Sequence, residues 1–97
     1  VGDPVIQIGF LLDQIKREYS IGVMGGEITD IGEFQDAFGF AFTAKTIAEQ
    51  SSLKNKTLLI AAIDELMKCW PSGPNLVQNP VPISTIDESI SLVRNLL

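Results

Sequence analysis

The stretch Asp30-Ile31-Gly32-Glu33-Phe34-Gln35-Asp36-Ala37-Phe38-Gly39-Phe40-Ala41-Phe42-Thr43-Ala44 decides how the chain is read. Asp30 and Glu33 have the spacing of a capping box, in which an N-cap oxygen and an acid three residues on satisfy each other's backbone N–H groups. From Phe34 onward, Phe34, Ala37, Phe38, Ala41, Phe42, Ala44 and Ala48 gather on one side of a helix that ends near Ser51. Phe40 widens the apolar arc to about 200° on a helical wheel. An arc that wide predicts a helix touched by several neighbours. Its alanines admit a close partner and its phenylalanines fill the remaining space. The phenylalanines are expected in a core, with Phe40 at its margin.

Working outward, Ile8, Leu11, Leu12, Ile15 and Tyr19 recur at three- and four-residue spacing, predicting a helix from about Pro4 to Val23. Pro4 suits a first helical turn, and Gly25-Gly26 breaks the pattern because glycine reaches positive φ at no steric cost. A third stripe, Leu59, Ile60, Ile63, Leu66, Met67 and Trp70, predicts a helix over about Asn55 to Trp70, stopped by Pro71. Ile86, Ile90, Val93 and Leu97 mark a fourth, which the sequence starts with Ser84-Thr85-Ile86-Asp87 as a serine-plus-acid cap. No run alternates with period two long enough for a sheet. The expectation is all-α: an up-down four-helix bundle, one domain over residues 1–97.

Composition removes whole classes of function. The chain has 97 residues, 45% of them apolar, with seven basic and twelve acidic residues and a net charge of −5. That balance disfavours nucleic acid and anionic membrane surfaces, which need a basic footprint. No run of 18 apolar residues exists, so no direct membrane insertion of this segment is expected. There is no histidine and only one cysteine, so thiolate and imidazole zinc sites and a serine–histidine nucleophile lack their parts. Asp64 and Glu65 are adjacent and point about 100° apart on a helix, poor geometry for a carboxylate pair. No phosphate-binding glycine loop is present. No enzyme and no cofactor is expected.

Four acids, Glu27, Asp30, Glu33 and Asp36, are spaced three apart. They read either as oxygen ligands for a cation or as acids at a helix N-terminus, held there by the helix dipole. Steps of three drift about 60° each around a helix, so all four cannot converge. Glu27, Asp30 and Glu33 are the candidate metal-site residues. An EF-hand is excluded: with Gly26 at the loop's sixth position, Ile21, Val23 and Gly25 stand where oxygen ligands belong, and Gly32 where the bidentate glutamate belongs. Cys69 lies at a helix C-terminus, which does not favour a thiolate, and is expected to be partly buried and inert. Trp70 is expected to close one end of the core, with a partner-binding anchor as the other reading.

The segment Glu18-Tyr19-Ser20-Ile21-Gly22-Val23-Met24-Gly25-Gly26-Glu27-Ile28, followed by Glu33-Phe34, resembles the extracytoplasmic helical segment preceding the membrane part of bacterial high-affinity iron permeases. Tyr19, Val23, Gly26, Ile28 and Glu33 match its pattern in order and spacing. Glu18, Gly22, Gly25 and Phe34 depart from it, and the Arg-Glu-x-x-Glu transport motif of those permeases is absent here. The resemblance implies a non-enzymatic accessory or sensor domain, extracytoplasmic or periplasmic, whose partner is a protein or membrane protein such as an iron permease. It also makes Glu27, Asp30 and Glu33 candidates for guiding cations. The alternative is a self-standing helical module for protein–protein interaction. The missing initiator methionine and the uncapped apolar C-terminal end lead to the expectation that the segment is excised from a longer chain.

Overall fold

The protein, in a computed structural model that describes residues 2–97, is built from four helices. They are α1 (Pro4–Gly22), α2 (Ile31–Gln50), α3 (Lys56–Met67) and α4 (Ile83–Arg94). Two strands of two residues each, β1 (Val23–Met24) and β2 (Glu27–Ile28), join α1 to α2. Each helix touches the next, and α4 returns to α1, so the four form a ring around one core in an all-α four-helix bundle. The molecule measures 38 × 22 × 19 Å, and α1 and α2 make its most extensive helix contact.

The sequence explains these elements in turn. Asp3 caps α1 by accepting from the Val5 N–H, with Pro4 in the first turn where a missing donor costs nothing. Asp30 caps α2 as expected, accepting from the Glu33 N–H at 3.2 Å. Ile8, Leu12, Ile15, Tyr19 and Gly22 of α1, and Phe34, Ala37, Ala41, Ala44 and Ala48 of α2, are buried. Both sets step by alternating threes and fours, the seven-residue repeat of a coiled-coil seam. Leu59, Ile63 and Leu66 of α3 and Ile86, Ile90 and Val93 of α4 complete the core.

Five local expectations need correction. Helix α1 stops at Gly22, and Val23 already belongs to a strand. The Gly25-Gly26 break is more than an interruption: with φ of 59° and 79° the two glycines form the two-residue turn of an antiparallel hairpin pairing Val23 with Ile28 and Met24 with Glu27. Helix α4 begins at Ile83 behind Pro82, and no side chain caps it, so the Ser84–Asp87 box is not made. Winding beyond α3 continues as turns through Trp70, whose N–H reaches the Met67 carbonyl. Finally, Phe42 is 57% exposed and Phe38 only partly buried, because beyond Phe34 the centre of the α2 seam runs through Ala37, Ala41, Ala44 and Ala48.

Candidate functional site

At the hairpin end, α1 and α2 approach so closely that a Cβ on Gly22 would lie 2.7 Å from the Phe34 nitrogen. The Gly22 carbonyl accepts from the N–H groups of Thr29 and Asp30, at 2.8 and 3.2 Å. The Thr29 hydroxyl donates to the Ile21 carbonyl at 2.9 Å. These bonds satisfy carbonyls that a helix end leaves free and fix the register between the two helices.

Beside this junction stands an aromatic cluster. Trp70 meets Tyr19 edge-on, with centroids 5.5 Å apart, and lies 6.2 Å from Phe34 and 5.9 Å from Phe38. Its indole N–H donates to the Phe34 carbonyl at 3.1 Å, while the Tyr19 hydroxyl donates to the Val81 carbonyl at 2.5 Å. Two buried polar groups thus find partners, as burial requires. Burial, and secondarily the neighbouring Cys69 once it ionises at alkaline pH, pushes the Tyr19 hydroxyl well above its ordinary value. Burial likewise raises the Cys69 thiol above 9.0, which keeps it protonated and unreactive at neutral pH. Trp70 is a core residue that closes this end of the bundle.

The same register brings three carboxylates together across the α1–α2 groove. Glu33 and Asp36, one turn apart on α2, meet Glu18 from the last turns of α1, and one oxygen of each lies within 4.8 Å of the others. Of the candidates read from the sequence, only Glu33 is in this group. The Asp30 side chain is occupied in capping α2, and Glu27 sits exposed on β2. Reading along one helix missed Glu18, although the hairpin register held a signal. Val23 with Ile28 and Met24 with Glu27 fold the chain about Gly25-Gly26, and the same reflection carries position 18 onto 33. Three hard oxygen donors at this separation suit a hard cation or a basic side chain.

Against this geometry, the sequence matches the description "iron permease-associated 4-helix bundle domain" over residues 5–93. The chain belongs to that family. The match takes in all four helices and agrees with the resemblance carried by Glu18 to Phe34. No curated protein and no solved structure matches the chain. The family's description is that of a four-helix bundle domain associated with iron permeases. Among the described residues, no helix is long and apolar enough to cross a membrane.

Proposed function

We propose that this iron permease-associated bundle is a non-enzymatic accessory domain of an iron-uptake permease, working on the extracytoplasmic side as a docking or sensing element. The family match over residues 5–93 carries the reading, since it takes in the whole bundle and not one motif. Two features support it. The buried polar groups of the aromatic cluster are spent on structure: Tyr19 and Trp70 each hold a backbone carbonyl. The one thiol is buried and kept protonated. What distinguishes the surface is the groove between α1 and α2, which suits contact better than turnover.

The test is made in cells that carry the complete gene. In-frame removal of the segment encoding residues 1–97 is expected to lower radioactive iron uptake at limiting iron, with the amount of permease unchanged. A phosphatase reporter placed in the segment's position should be active, as only an exported reporter is. Unchanged uptake at limiting iron would remove the accessory role. An inactive reporter, with a cytoplasmic one active in its place, would remove the extracytoplasmic side.

A further inference from the structure

The ring order α1-α2-α3-α4 leaves the outer face of the α1–α2 pair uncovered along its length. Far from the hairpin, this face holds an apolar groove of about 420 Å³ lined by Ile6, Gln7, Phe10, Leu11, Thr43 and Ile47. Ile6 is 70% and Phe10 60% exposed, while Leu11 and Ile47 are partly buried and form the floor. Exposed aromatic and aliphatic side chains gathered in one groove, unlike scattered ones, mark a contact surface.

The carboxylate group lies further along the same side of the helix pair. Leu11 and Glu18 are seven apart on α1, and Ile47, Phe40 and Glu33 are spaced by seven along α2, so each series stays on one side of its helix. Seven residues rise about 10 Å, or two turns. One face of the pair is therefore apolar from Ile47 to the level of Leu11 and Phe40, and acidic two turns beyond that level. The acids lack cations of their own. The ion pairs among the described residues are Lys16–Asp87, Lys45–Asp64, Lys68–Glu65 and Arg94–Asp13, and none takes in Glu18, Glu33 or Asp36. Three like charges this close repel unless an opposite charge is brought to them.

We infer that the α1–α2 face is a docking groove for a basic amphipathic helix of a partner protein. Its apolar side chains seat against Phe10, Leu11 and Ile47, and its Lys or Arg side chains, two turns along, meet Glu18, Glu33 and Asp36. Charge complementarity selects this occupant: a second copy of the chain would bring a net charge of −5 and set its three acids either against the same acids or against the apolar groove, and neither pairing supplies a cation. The inference identifies the partner by its chemistry and stands whether or not the permease reading holds.

The test uses the 97-residue chain and a fluorescein-labelled, alanine-based helical peptide. Three leucines lie on one face of the peptide, followed toward its C-terminus by three lysines on the same face, the order its own dipole favours. A control peptide carries glutamate in place of lysine. Anisotropy is expected to show saturable binding of the lysine peptide alone, weakened when salt rises about tenfold. Phe10→Ser, and Glu33→Gln with Asp36→Asn, should each weaken it by about tenfold while circular dichroism stays unchanged. Equal binding of both peptides, no saturable binding, or indifference to both variants would overturn the inference. A dimer in sedimentation that Phe10→Ser abolishes would assign the face to a second copy instead. Iron that binds the wild-type chain but not the Glu33→Gln, Asp36→Asn variant, and displaces the peptide, would make the acids a cation site and overturn docking there.

Discussion

At the hairpin end of the α1–α2 pair, Tyr19, Phe34 and Trp70 interlock with Gly22, and two side-chain hydrogen bonds reach across to other elements. At the opposite end α2 buries Ala41, Ala44 and Ala48 beside apolar side chains of α1, with an open groove on the flank and a half-exposed Lys45–Asp64 ion pair as the side-chain link to α3. Large side chains of unequal shape admit few arrangements, so the aromatic end sets register. Alanines permit closeness without dictating it. The comparison teaches that one end specifies the fold while the other leaves surface free for a second role.

Deleting the largest member of the specifying end should break the comparison most visibly. Trp70→Ala is expected to cost about 3–5 kcal/mol, and Ile47→Ala at the alanine end only about 1 kcal/mol, read from urea melts. Similar losses at both ends would show that the aromatic cluster holds no special place. A sharper contrast sets two glycines side by side. Gly22→Ala should cost about 1–3 kcal/mol, because the new methyl meets the Phe34 backbone. Gly39→Ala, in α2 with nothing within 4 Å of its Cβ, should gain about 0.5–1 kcal/mol. If both stabilise, the close approach at Gly22 is not a constraint.

The smallest effect concerns alkaline pH. The Tyr19 hydroxyl and Cys69 thiol both ionise less readily folded than unfolded. Their contribution to stability is fully present below the unfolded values of 9.0 for the thiol and 10.0 for the hydroxyl. It falls as pH rises past them, because the unfolded chain then binds fewer protons. Stability should therefore be level from about pH 6 to 8 and decline above about 9. Tyr19→Phe should start about 1 kcal/mol lower, having lost the bond to Val81, and then decline less steeply. An equally steep decline in Tyr19→Phe would exclude the hydroxyl as a source.

Four helices, their order and most of their buried faces were legible in the sequence, because threes and fours in apolar spacing directly report a helix seam. The Asp30 cap was legible for a related reason: it is a contact within one turn. Phe42 was misread because its spacing from Phe38 puts it near the stripe, whereas the seam centre runs through Ala37, Ala41, Ala44 and Ala48. The hairpin was missed because two-residue strands are too short to alternate. Of the carboxylate group, Glu33 and Asp36 were visible as neighbours on α2. Glu18 was not, since its arrival depends on register between helices, which no single-helix spacing encodes. The candidates Asp30 and Glu27 share their residue type with the group but not its side of the groove.

The two-residue Gly25-Gly26 turn has a consequence for the order in which the chain folds. It closes the α1–α2 pair through contacts between near neighbours in sequence, where little loop entropy is lost, whereas α4 must be brought back to α1 across more than half the chain. The α1–α2 hairpin is then the natural nucleus, a unit already half assembled when α3 and α4 dock. In native-state hydrogen exchange its amides, with the Thr29 N–H bonded to Gly22 among them, should be the last to open, and those of the last turns of α4 the first.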